Sequence, residues 1–198
     1  AETNITASDQ MLDSPTNNFC TINPLSNITG TAVLSEGNLK YATGDGVAWS
    51  GSLAVNSGKW YFEHHRTEAG ADYTSIGDVA WNGTTGADFT AKHYSIYNGN
   101  YFYRVGASTV TLGTPTTAGT TYMWAFDLDN DKVWIGTNGT WYGSGNPAAG
   151  TNETGSMTPT SGKYITIGTA TIGGGGYNGT QIFNMGQDSS FAGEKTAQ

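Results

Sequence analysis

Three groups of residues in this chain carry side chains that could do chemistry. The first is EHHR at 63–66, a carboxylate beside two imidazoles and a guanidinium. His64 and His65 are adjacent, so on a strand they point to opposite faces and cannot share a metal. The second is the alternating set Asp127, Asp129 and Asp131, which has the spacing that opens a calcium loop. Such a loop needs Gly at its sixth position and Glu at its twelfth, where this chain has Lys132 and Asn138. The triplet therefore reads as a polar hairpin turn, with no metal or cofactor expected. The third group is aromatic. Tyr97, Tyr101, Tyr103 and Trp141 sit beside Asn-Gly pairs, and Trp81 immediately precedes Asn82-Gly83. Rings near turns can stack on sugars or anchor a protein interface, and the same rings can pack a core. No nucleophile elbow is present, because Val110 stands where GAS at 106–108 would need its second Gly. The glycine run at 173–176 lacks the Lys-Ser/Thr of a phosphate loop and reads as a turn or bulge.

The elements that must position these residues are short strands. In residues 122–128 Tyr122, Trp124, Phe126 and Leu128 alternate with the smaller or polar Met123, Ala125 and Asp127. That pattern predicts one core face and one less buried face. DND at 129–131 supplies the turn, and the return strand 132–136 puts Val133 and Ile135 on one face and Trp134 on the other. Asn138-Gly139 makes a second turn, followed by a polar excursion without periodicity through 154. Further strands are predicted at 32–34, 39–41, 47–55, 59–64, 73–81, 94–105, 108–113, 163–171 and 181–185. Ten to twelve short strands with turn signals between them, and no helix longer than a turn, imply an all-β sandwich of two antiparallel sheets.

Composition narrows the function classes. Charged residues are only 12% against 29 glycines and 12% aromatics, the balance of a sheet protein. The net charge of −8 and eight scattered basic residues argue against a nucleic-acid partner. No apolar run reaches the roughly 20 residues of a membrane helix, so membrane insertion is not expected. Cys20 is the single cysteine and cannot form an internal disulfide. N-x-[ST] sequons occur at Asn4, Asn27, Asn82, Asn138, Asn152 and Asn178, as an Asn- and Thr-rich chain produces by chance. The chain begins at Ala1 without Met or an apolar leader, and reads as a processed product or a piece of something longer.

Three stretches resemble the SPRY family, a concanavalin-like β-sandwich recognition module. GKWYFE at 58–63 is similar to its opening strand, FDLDNDKVWIGTNG at 126–139 to its central hairpin, and FNMGQDSSF at 183–191 to its closing element. Met185 and Thr137 depart from the residues common there. The loop at 141–152 is similar to versions in bacteriophage and bacterial proteins, and the lead-in SDQMLDSPTNNFCTINPL at 8–25 resembles the segment preceding such domains in tailed-phage structural proteins. The resemblance implies a jelly-roll-like SPRY sandwich over 31–198, with residues 1–30 an extended lead-in or linker packed on it. It also implies a non-catalytic module of a virion, as tail fibre, capsid fibre or decoration protein on the extracellular particle surface. Its partners would be other virion proteins or a host-surface glycan or protein, reached through tips at 64–75, 82–93 and 140–156. Homo-oligomeric assembly is expected.

Two other readings stay open. A lectin-like binder would use Trp81, Tyr97, Tyr101, Tyr103 and Trp141, and would gather two or more of them on one exposed concave patch. A glycan-cleaving enzyme of the concanavalin-like class would pair two carboxyl groups about 5–10 Å apart, yet Glu63 has no acidic partner at strand spacing.

Overall fold

The computed structural model describes residues 18–26, 33–42, 48–68, 72–78, 92–97, 101–104, 110–111, 118–158, 164–171, 180–187, 189–191, 193 and 195. Strands are β1 (Val33–Ser35), β2 (Lys40–Ala42), β3 (Ala48–Ser50), β4 (Lys59–Arg66), β5 (Asp72–Asp78), β6 (Lys92–Tyr97) and β7 (Tyr101–Arg104). They continue with β8 (Val110–Thr111), β9 (Thr121–Asp127), β10 (Lys132–Thr137), β11 (Thr140–Trp141), β12 (Gly155–Ser156), β13 (Ile165–Thr171) and β14 (Thr180–Asn184). Among the described residues the helical content is two three-residue 3₁₀ turns.

The strands form two antiparallel sheets. The first runs β1-β2-β14-β4-β9-β10-β11, with β12 also pairing β10, and the second runs β3-β13-β5-β6-β7-β8. The fold is an all-β two-sheet sandwich. Its centre is the β4–β9–β10 trio, where Trp60, Phe126 and Val133 lie in one register row and Phe62, Trp124 and Ile135 in the next. Of these rings Phe62 and Trp124 stack at 5.5 Å between centroids. Ile76, Ile96, Ile165 and Ile167 of the second sheet close the core from the other side. Burying each such side chain stabilises the fold by about 1.5–3 kcal/mol. A buried polar link also joins the layers, with the Thr74 hydroxyl donating to Gln181 Oε1 at 2.6 Å.

The strand alternation predicted for 122–128 is present, and the face expected to be less buried is covered as well. Met123, Ala125 and Asp127 are all buried. The reason is a second covering layer. Residues 142–152 fold over Trp134, and Phe191 lies against His65 on the same outer side. Leu128 stands in the turn rather than the strand, yet its side chain belongs to the core.

The tips expected at 64–75 and 82–93 are shorter than that. His64–Arg66 continues β4 because β14 pairs with it to the end, Gln181 opposite Arg66. Residues 72–75 belong to β5 and 92–93 to β6, while 69–71 and 79–91 lie outside the described residues. Of the lead-in, residues 1–17 and 27–32 are likewise outside. Within 18–26, Ile22 is fully buried in the core, and Ile22 N–H donates to Asn38 O at 3.0 Å.

Candidate functional site

The strand register builds a site on the outer face of the first sheet. Tyr61 on β4 lies opposite Ala125 on β9, which lies opposite Trp134 on β10. An alanine between two large rings leaves a trough. Trp141 on β11 completes it, reaching Tyr61 edge-on with centroids 6.2 Å apart and planes at 68°. The groove has a volume of about 260 Å³, and Pro147 and Ala148 of the excursion form its far wall. At one end the Lys59 amine meets the Asp127 carboxylate at 3.3 Å.

Each wall is held by identifiable bonds. Trp134 is 1% exposed and its indole N–H donates to Thr151 O at 2.9 Å. Tyr61 is 49% exposed. Its hydroxyl donates to Glu63 Oε1, while Glu63 Oε2 accepts from Asn184 Nδ2 at 3.3 Å. Partial burial, then the bond to Glu63 and its charge, push the Tyr61 phenol well above its ordinary pKa. Tyr61 therefore stays a neutral ring and donor. Trp141 owes its place to Gly136, its register partner. A Cβ at Gly136 would meet Thr140 O at 2.7 Å and the Met123 methyl closer still.

The excursion 142–154 is ordered by backbone and side-chain bonds together. Asn146 and Thr151 exchange N–H···O bonds at 3.0 and 3.1 Å, and Lys132 Nζ donates to Gly150 O at 2.7 Å. Thr154 N–H donates to Val133 O at 2.8 Å. Left-handed φ at Gly143, Ser144, Gly150 and Asn152 folds the chain back on itself. Beyond it, the Tyr94 hydroxyl from the second sheet donates to Ser156 O at 2.7 Å. A Cβ at Gly155 would collide with that hydroxyl.

A second, more polar pocket lies farther along the same face, with a volume of about 290 Å³. Glu63, Met123 and Asn138 line it with Lys195 and Ser189 from the end of the chain. Lys195 Nζ donates to the Thr121 hydroxyl, which also lies 2.9 Å from His65 Nδ1. The same ammonium sits 5.9 Å from the Phe191 ring centroid.

Of the aromatic residues singled out from sequence, Trp141 falls in the groove. Trp81 lies outside the described residues, as do the side chains of Tyr97, Tyr101 and Tyr103. Their backbone places Tyr97 opposite Tyr101 in the β6–β7 hairpin of the second sheet, with Tyr103 opposite Ser95. Asp127, Asp129 and Asp131 serve the hairpin. Asp127 Oδ1 accepts the N–H groups of Asp129 and Asn130 at 3.1 Å, and Asp129 Oδ1 accepts Gly58 N–H at 2.9 Å. Among the described residues no group of three or more His, Cys, Asp or Glu could hold a metal ion.

His64 and His65 do face opposite ways. His64 is in the core, stacked on Tyr122 at 4.7 Å and accepting the Trp124 indole N–H at 3.2 Å. His65 packs outward on Phe191 at 5.5 Å. Tyr61, Ala125, Trp134 and Lys195 were not singled out as site residues in the sequence. The alternation around Trp60 and Phe62 does put Tyr61 on the outer face, but only the β4–β9 register shows what it lines.

Comparison with solved structures identifies the architecture as SPRY-like. The SPRY domain of human HERC1 has a TM-score of 0.62 at 13% identity, covering 84% of this chain and 99% of that one. Stonustoxin has a TM-score of 0.57 at 12% identity, covering 84% of this chain and 27% of that one. At these identities the likeness is one of fold. No protein-family profile matches the chain, and no curated protein matches it.

Proposed function

We propose that the chain is a non-catalytic recognition module displayed on the surface of a phage virion, as a tail fibre, capsid fibre or decoration protein. The observation that carries the recognition part is the Tyr61–Ala125–Trp134–Trp141 groove, walled by an excursion that is bonded in place. A preformed aromatic trough binds without the cost of ordering a loop. The virion part is supported by the phage-like segments at 8–25 and 141–152. Partners on this reading are other virion proteins or a host-surface glycan or protein, and copies of the chain associate with one another.

The lectin-like reading is the alternative. Trp141 pairs with Tyr61 in the groove, and an aromatic face with a charged rim suits a sugar ring. Trp81 and the side chains of Tyr97 and Tyr101 lie outside the described residues. Electron cryo-microscopy of the native particle tests the proposal. Copies on the outer surface, with the groove open to solvent, are the expected result. A lone protein attached to no assembly would contradict the virion placement.

A further inference from the structure

Two pockets share the outer face of the first sheet, and their chemistries differ. The aromatic groove is centred on the Tyr61–Ala125–Trp134 row. The polar pocket begins at Thr121, four residues earlier on β9. At strand rise Thr121 lies ~13 Å from Ala125, and Met123 between them belongs to the polar pocket, so the two pockets adjoin. The row of Glu63, Met123 and Gly136 joins them: Glu63 and Met123 line the polar pocket, and the Trp141 ring of the groove packs over Gly136. Each volume, about 260 and about 290 Å³, is just below the roughly 300 Å³ at which drug-sized pockets begin. Each pocket therefore suits one ring-sized group.

We infer that this face binds a neutral oligosaccharide across two subsites, one ring against Tyr61 and Trp141 and another beside Lys195 and Asn138. This rests on the recognition reading and deepens it by naming the ligand class. Aromatic faces take the C–H face of a pyranose, while the Lys59–Asp127 pair, Glu63, Asn138 and Lys195 offer donors and acceptors for hydroxyls. An anionic polymer is disfavoured by Glu63 on the pocket wall, Asp127 at the groove end and a net charge of −8. A purely apolar segment would cover the Lys195 ammonium and the Glu63 carboxylate without adding a polar partner to either.

Calorimetric titration tests this with glucose, galactose and N-acetylglucosamine oligosaccharides of one to four residues. Affinity should rise at least about tenfold with length, a gain equal to one decade in Kd. Trp141→Ala should abolish binding at every length. Lys195→Met should cut trisaccharide affinity several-fold more than monosaccharide affinity, with its unfolding midpoint confirming an intact fold. Length-independent binding, or no effect of Lys195→Met, overturns the two-subsite inference while recognition through the groove stands. If no saccharide binds but a protein of the particle or host does, and Trp141→Ala removes it, the glycan class is overturned and the recognition reading survives. Partner binding indifferent to Trp141→Ala overturns both.

Discussion

Two buried ionisable side chains set opposite ends of the acid response. Burial, then the charges of Arg66 and His65, hold the His64 imidazole well below its ordinary pKa of 6.5. The folded protein keeps His64 neutral while the unfolded chain protonates it. Stability is therefore full above the ordinary value and declines as pH falls below it toward the lowered folded value. The slope is about 1.4 kcal/mol per pH unit per proton. Urea unfolding between about pH 7 and pH 5 should show this slope in the parent and lose it in His64→Phe. Asp127 acts lower. Burial pushes its carboxyl up, but the Asn130 amide and then Lys59 outweigh it, so its pKa lies below the usual aspartate value. Its contribution is present above that usual value and is lost as pH falls through the lowered one. Asp127→Ala should cost about 1–3 kcal/mol at neutral pH, since the Asp129 and Asn130 N–H groups lose their acceptor. The gap from the parent should narrow toward about pH 3, beneath the ordinary aspartate pKa.

At the scale of elements, the hairpin β9–β10 and its excursion make one unit. Gly136→Ala would drive a methyl into Thr140 O and Met123, displacing β11 and with it Trp141. A loss of about 1–3 kcal/mol and a shifted tryptophan emission are expected. Trp134→Phe removes the donor to Thr151 O. Hydrogen exchange should accelerate across 142–152 while β4 and β9 stay protected. Much of this unit was legible in sequence, because alternation at 122–128 and the DND turn are local signals. What was not legible was the burial of Met123 and Ala125. That depends on 142–152 and Phe191 folding back across the sheet, a contact no local pattern encodes. The groove was hidden for the same reason. Trp141 announced itself beside Asn-Gly, but its partner Tyr61 lies 80 positions away in the chain.

At the scale of the whole molecule, the sandwich explains how a chain with few charges keeps a defined surface. The core rings sit between two sheets, and the outer face of the first sheet is left to carry Tyr61 and Trp141. The fold class was readable because strand periods and turn residues recur along the chain. Its SPRY-like topology was readable from GKWYFE, FDLDNDKVWIGTNG and FNMGQDSSF, which map onto β4, β9–β10 and β14 with the residues after it. On the proposed virion reading, adsorption to host cells of particles carrying Trp141→Ala addresses the central claim most directly. A loss of at least about tenfold, or roughly 1.4 kcal/mol, with normal particle assembly, is the result the recognition groove predicts. Adsorption equal to the parent's would contradict it.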